Sequence, residues 1–290
     1  MLLLKHQITK TLNVKTNGRS SDFVTPNFIN GCSAGCSLSY CYTRRFGRKF
    51  IYVNDNIDEI LNSIEQHRLK LGNKILNQTD NKYWTYDICC DTDLNYHWKD
   101  YNWIKVLDYF NSTSRIKATF ATKFVNYSLL KYKVIDGKIR QRFSMMPQSI
   151  SNVLEPKTTL ISKRIEAVDK FIDAGWDIHI NLSPIVYYDG WLKDYNDLLY
   201  EIKQNVKNID KVKFECIFLT HNENLHNINL NENRIEQESL LWRPNIQETK
   251  ISEYGGKNLR YKWQLKEQMI EQFKSIFIQY FPLESIRYIF

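Results

Sequence analysis

Apolar positions along this chain fall into two alternating periods. Over residues 55–68, Ile57, Ile60, Leu61 and Ile64 recur at helical spacing, with Asp55 or Asn54 placed to cap the start. The same spacing returns over 98–110, through Trp103, Ile104, Leu107 and Phe110. It returns again over 161–174, closed by Gly175, and over 198–206 and 265–280. Residues 125–130 read as a short helix. Between these lie short apolar runs with strand character: 23–29, 82–88, 116–122, 139–144, 178–182, 212–219 and 285–290. Alternating strands and helices predict a parallel sheet with right-handed crossovers. Six strand–helix units fit before about residue 225, short of the eight in a full barrel, so the expected fold class is α/β, an open or partial (β/α)6 barrel. The polar, Asn-rich stretch 222–233 predicts a loop or linker, and strand-like pieces flank Gly255-Gly256. The expected organisation is a barrel over 1–225 and a C-terminal extension, 226–290, packed on it and contributing to substrate binding.

Composition narrows the class. The 290 residues are 43% hydrophobic and 25% charged, which excludes a disordered chain. No stretch approaches the roughly 20 apolar residues that span a bilayer. The opening Met1-Leu2-Leu3-Leu4-Lys5-His6 is too short an apolar run for a signal peptide, so a cytoplasmic location is expected. The formal charge is +8, and the chain carries 18 Tyr, 15 Phe and 7 Trp. That balance is compatible with nucleic acid, since phosphates attract Lys and Arg while bases stack on aromatic rings. Basic residues cluster at Arg44, Arg45, Arg48 and Lys49, at Arg140 and Arg142, and at Lys257, Arg260 and Lys262 beside Tyr261 and Trp263. Brought to one mouth they would form a phosphate groove; taken singly, each reads as a solvated face.

The six cysteines are too few for a disulfide scaffold, and their placement is more telling than their number. Cys89 and Cys90 are adjacent, and Cys216 sits inside an apolar strand and reads as core. The other three share one loop after the first apolar run, Cys32-Ser-Ala-Gly-Cys36-Ser-Leu-Ser-Tyr40-Cys41-Tyr42. Three thiolates without a fourth ligand nearby suit an iron–sulfur cluster with one iron left open. A structural zinc site would need a distant fourth ligand, and buried core cysteines do not normally come three to a Gly/Ser loop.

This loop resembles that of the radical S-adenosylmethionine superfamily, and the resemblance sharpens towards the spore photoproduct lyase family. It continues in Cys90-Asp91-Thr92-Asp93, Ala121-Thr122-Lys123-Phe124, Arg140-Gln141-Arg142-Phe143-Ser144 and Pro184-Ile185. It goes on through Gly190-Trp191 with Asp194-Tyr195, Leu219-Thr220-His221, Arg260-Tyr261-Lys262-Trp263 and Phe281-Pro282, collinear over roughly residues 23–290. Two departures stand out. Four residues, Ser37 to Tyr40, separate the second and third cysteines where the family has two, and the family's glycine-bearing stretch after the Tyr-Lys-Trp segment is missing.

The resemblance implies a [4Fe-4S] cluster on Cys32, Cys36 and Cys41, with S-adenosylmethionine on its open iron. It implies Thr92, Asp93 and Ser144 near the methionine moiety or ribose and Lys123 near the cofactor. Strand-end capping is the plainer reading of the first three, and a solvated lysine of the fourth. Cys90 matches the family cysteine that returns a hydrogen atom to the product radical, with Cys89 as a core residue. Tyr42 and Tyr40 match tyrosines that relay the radical back, against a plainer role in aromatic packing over the cluster. His221 reads as active-site lining or as a strand-end hydrogen bond. The implied activity is a DNA repair lyase acting on thymine lesions, with DNA and a one-electron donor such as flavodoxin or ferredoxin as partners. A radical enzyme modifying a DNA base, a nucleotide or another substrate is the alternative. A non-catalytic, metal-stabilised DNA-binding module is a third reading.

Overall fold

The computed structural model describes residues 3–34, 40–41, 50–251 and 257–290. They divide into two units. The first comprises Met1–Ser33, Lys49–Phe143 and Ala167–His179; the second comprises Ala34–Arg48, Ser144–Glu166 and Ile180–Phe290.

In chain order the first unit holds β1 (Leu3–Gln7), β2 (Lys15–Thr16), β3 (Phe23–Val24), β4 (Ile29–Asn30), β5 (Phe50–Asn54) and α1 (Ile57–Leu69). It continues with β6 (Trp84–Asp87), α2 (Trp103–Ser112), β7 (Ile116–Thr122) and most of β8 (Ile139–Met145). After α3 (Gln148–Leu154) of the second unit come α4 (Ile161–Asp173) and β9 (Asp177–Ile185), each divided between the units. The second unit ends with α5 (Trp191–Asn205), β10 (Lys213–Phe218), β11 (Thr220–Asn222), α6 (Glu223–Asn231) and α7 (Ile235–Leu241). Last come β12 (Gln247–Ile251), β13 (Lys257–Tyr261), α8 (Trp263–Phe277) and β14 (Ile286–Ile289).

The main sheet has the hydrogen-bonded order β14-β10-β9-β8-β7-β6-β3-β2, with β2 and β14 at its ends, so the ladder does not close. The pairs β3–β6, β6–β7, β7–β8 and β10–β14 are parallel, as strand–helix alternation predicts. This is the expected α/β class with an open ladder in place of a full barrel. Two small sheets accompany it, β1-β5-β4 and β11-β13-β12.

Every residue of β8 is buried, and strand alternation sends its side chains two ways. Ile139, Gln141 and Phe143 share one face, where Phe143 meets Phe171 of α4 edge-on at 5.7 Å. Arg140 and Arg142 take the other face, in register with Thr119 and Ala121 of β7. There Arg140 pairs with Asp80 at 2.6 Å and Asp177 at 2.8 Å, and Lys117 contacts the same two carboxylates at 2.7 Å. Arg142 pairs with Asp87 at 2.6 Å. With exposures of 4% and 3%, Arg140 and Arg142 belong to buried ion pairs and not to a surface phosphate groove. A cation taken out of water this far must face a carboxylate, and the lattice of pairs meets that requirement.

Several elements depart from the sequence reading. The run 23–29 is two strands in two sheets, because Pro26 between them has no N–H to donate. The residue at the start of α1 is Asn56, not Asp55 or Asn54, and its side chain bonds both backbone groups of Thr9. Residues 127–131 form a 3-10 turn capped by the Asn126 side chain, and another 3-10 turn, 98–100, precedes α2. The Asn-rich stretch is helix α6, not a loop. Asn222 caps it by accepting from Asn224 N at 3.0 Å, and Leu225 and Asn229 are its buried side. A one-sided helix with so few apolar residues has a weak periodic signal. Helices α3 and α7 and strands β1, β2 and β5 lie outside the elements that the sequence pattern predicts; all five residues of β1 are exposed, so that strand carries no core pattern.

Arg140→Met should destabilise the fold by about 3–5 kcal/mol, because Asp80 and Asp177 would keep their burial and lose a counter-charge. For both carboxylates burial works to raise the pKa, and the neighbouring cations outweigh it: Lys117 and Arg140 hold Asp80 down, and Arg140, His179 and Lys117 hold Asp177 well below 3.8. Depressed carboxylates contribute stability that is complete above the unfolded value near 3.8 and is lost as pH falls through the folded one. Urea unfolding from about pH 6 to about pH 3 should therefore fall more steeply for wild type than for Arg140→Met.

Candidate active site

In the first unit the site grows from the C-terminal end of β6. Asp87 ends that strand, and its carboxylate accepts from Cys89 N at 3.0 Å and Arg142 Nη2 at 2.6 Å. Its carbonyl accepts from Thr25 N at 3.0 Å and Thr25 Oγ1 at 3.2 Å. The strand stops there, so Cys89 and Cys90 occupy a turn and are not separated by strand alternation. The turn itself buries Cys89 and leaves Cys90 open to solvent. Protein atoms nevertheless crowd Cys90: burial first, then Asp87 and Asp91, push its thiol up to about 12. The thiol there is protonated at neutral pH.

The next residue ties this turn to the cysteine loop. Asp91 O accepts from Gly31 N at 3.0 Å, and Asp91 Oδ2 accepts from Asn27 Nδ2 at 2.8 Å. Gly31 has φ of +112°, a backbone state that side chains disfavour, and it turns the chain out of β4 into buried Cys32.

Thr92 and Asp93 follow with different fates. The Thr92 hydroxyl is buried and has no hydrogen-bond partner among the described residues. Such an atom has a bond left to make, to water or to a ligand. The Asp93 carboxylate is already engaged, accepting from Thr122 Oγ1 at 2.8 Å, Lys123 N at 2.8 Å and Tyr96 N at 3.2 Å. Burial raises its pKa against those bonds. Asp93 thus clamps the turn after β7, and Lys123, partly exposed, leaves that turn.

In the second unit Tyr40 and Cys41 stand beside a buried pair. The Tyr40 hydroxyl donates to Glu155 Oε1, and Glu155 Oε2 accepts from Arg164 at 3.1 Å. Arg164 Nη1 also donates to the Ser144 carbonyl at 2.6 Å, at the end of β8. Glu155 and Arg164 belong to no motif, and only the pairing reveals them. Further along, His221 Nε2 bonds Glu238 of α7 at 3.0 Å, while His226 stacks on Trp242 with ring centroids 4.1 Å apart. Of the C-terminal basic residues, Arg260 pairs with Glu248 at 2.9 Å, and Lys262 donates to Asn245 O at 2.8 Å.

Cys36 and Tyr42, together with Arg44, Arg45, Arg48 and Lys49, lie outside the described residues. Among the described residues no three His, Cys, Asp or Glu side chains gather as a metal site, and no helix is long and apolar enough to cross a membrane. Within the first unit, buried Cys32 and the Thr92 hydroxyl offer donor types that suit a thiolate-held group and a polar ligand; Cys41, partly exposed, belongs to the second unit.

A family model described as spore photoproduct lyase matches residues 3–290. The chain belongs to the spore photoproduct lyase family. Spore photoproduct lyase of a Geobacillus strain is 21% identical over 282 residues, covering 97% of this chain and 80% of that protein. The Bacillus subtilis enzyme is 25% identical over 196 residues, covering 67% of this chain and 55% of that one. A solved spore photoproduct lyase variant with bound AdoMet and dinucleoside spore photoproduct superposes with a TM-score of 0.86 at 20% identity, covering 99% of this chain and 82% of that one. Another, complexed with dinucleoside spore photoproduct, gives 0.83 at 21% identity over the same shares. The radical S-adenosylmethionine fold expected from the cysteine loop is the fold these lyases share.

Alkylation of Cys90 should climb with pH through about pH 10 without levelling, since the thiolate is the reacting form and the thiol pKa lies higher still. Mass spectrometry of iodoacetamide-treated apo protein checks this; a plateau near pH 9 would mean an ordinary thiol.

Proposed function

We propose that this protein is a radical S-adenosylmethionine lyase that repairs spore photoproduct, the thymine lesion, in DNA. The observation that carries the reading is a family match over residues 3–290, which takes in the three-cysteine loop and the Cys90 turn together. Cys32, Cys36 and Cys41 are the thiolate ligands of a [4Fe-4S] cluster. When bound and reduced, the cluster and S-adenosylmethionine supply a 5′-deoxyadenosyl radical that takes hydrogen from the lesion. The chain's residues then have separate jobs. The Thr92 hydroxyl, without a hydrogen-bond partner among the described residues, bonds a polar group of S-adenosylmethionine. Asp93 acts at one remove, holding the backbone of Lys123 while Lys123 and Ser144 border the cofactor. Cys90 keeps its hydrogen at neutral pH and returns it as an atom to the product radical. Tyr42 and Tyr40 relay the radical back from the Cys90 sulfur.

DNA is the substrate-bearing partner, and residues 226–290 take part in binding it through Lys257, Arg260 and Lys262. A flavodoxin or ferredoxin supplies the one electron that reduces the cluster, and the enzyme works in the cytoplasm.

Two experiments test this. Anaerobic reconstitution should give a brown protein that forms 5′-deoxyadenosine, and Cys32→Ala, Cys36→Ala and Cys41→Ala should each abolish both, since the loss of one thiolate leaves iron under-coordinated. A colourless wild-type protein holding zinc would overturn the reading. Cys90→Ala should keep the cluster and cofactor cleavage while trapped by-products replace restored thymine, whereas Cys89→Ala should alter stability more than product. Isotope-traced analysis on irradiated DNA reads the difference. Clean repair by Cys90→Ala at the wild-type rate would remove it as the donor.

A further inference from the structure

The loop that carries the third cysteine poses a problem of order. Four residues separate Cys36 from Cys41, and each of them brings backbone freedom that a metal-binding loop must lose. The structure holds the end of that loop from outside. Tyr40, next to Cys41, donates its hydroxyl to Glu155 Oε1. The side chains of Glu155 and Arg164 are both 0% exposed. All five donors of the Arg164 guanidinium are spent. Nε bonds Thr159 O at 2.8 Å, Nη1 bonds Ser144 O at 2.6 Å and Glu155 Oε2 at 3.1 Å, and Nη2 bonds Glu155 Oε2 at 3.1 Å and Thr158 Oγ1 at 2.6 Å.

A buried ion pair is weak evidence for stability, since apolar residues of the same volume often do as well. It does fix directions. With Oε2 committed to the guanidinium, Oε1 presents a fixed acceptor to the phenol. The same guanidinium grips the backbone at Ser144. One buried pair therefore holds the residue before Cys41 and the strand end at Ser144 in a single frame.

We infer that Glu155 and Arg164 are positioning residues, and that Tyr40 is the arm by which they seat Cys41. The inference rests on the proposed function only where Cys41 is a cluster ligand; the anchoring itself can be read in the apo protein.

The test uses the full chain as wild type, Tyr40→Phe and Glu155→Gln. In the apo protein, N-ethylmaleimide labelling of Cys41, resolved by peptide mass spectrometry, should be about tenfold faster in Tyr40→Phe, because a hydrogen bond to a carboxylate restrains local opening. Cys216 is 0% exposed and should stay unlabelled in both, which reports that the fold is intact. Glu155→Gln keeps an acceptor for the phenol and should fall between. Should it unfold and expose Cys216, Tyr40→Phe alone decides. In the reconstituted protein, Tyr40→Phe should raise the KM for S-adenosylmethionine, a change that loss of a radical relay alone would not make, and should alter the electron paramagnetic resonance signal that the reduced cluster shows on binding it. Equal Cys41 labelling in wild type and Tyr40→Phe overturns the anchor whether or not a cluster forms. A wild-type chain that holds no iron would strike at the reaction instead, and labelling would still decide the anchor.

Discussion

Burying Asp87 at the end of β6 requires a counter-charge and a full set of donors, and the way these are supplied arranges much of the first unit. Arg142 of β8 gives the counter-charge at 2.6 Å. Cys89 N takes one carboxylate oxygen and so bends the chain out of the strand. Thr25 holds the carbonyl, keeping β3 beside β6 up to the last residue of the ladder. Removing the charge would leave Arg142 buried without its partner carboxylate and release the turn that carries Cys90, Thr92 and Asp93. Stability and chemistry converge on one side chain because the turn can be exact only if the strand beneath it is fixed.

Much of this was legible in sequence. Residues 116–122 form β7 with the bounds read from the apolar run, because both faces of that strand are buried and a continuous run leaves little ambiguity. Gly175 stops α4 with φ of +88°, as a glycine after the last periodic residue should. The illegible parts share a cause: they are decided by partners distant in the chain. Arg140 and Arg142 look like surface cations until Asp80, Asp87 and Asp177 are placed against them. Helix α6 looks like a linker because its buried side offers Asn229 to Glu238 and not a leucine stripe. Glu155 and Arg164, nine positions apart, form a pair that no local spacing rule marks.

In the proposed reaction the cysteines ask opposite things of the same functional group. A cluster ligand must give up its proton to become a thiolate, which metal coordination accomplishes once iron is at hand. A hydrogen-atom donor must keep its hydrogen, so the surroundings have to oppose ionisation. At Cys90 burial and the carboxylates of Asp87 and Asp91 do this together, outweighing Arg142 and Lys15, which favour the thiolate. Cys89 is pushed further in the same direction by burial but offers no surface from which to deliver an atom. Adjacent residues with the same chemistry are therefore separated by access alone, and access is set where the strand stops. Had β6 run on through the pair, alternation would still have turned one of them outward, but without the Asp87 carboxylate beneath it. Ending the strand at Asp87 puts the exposed thiol beside the charge that keeps it protonated.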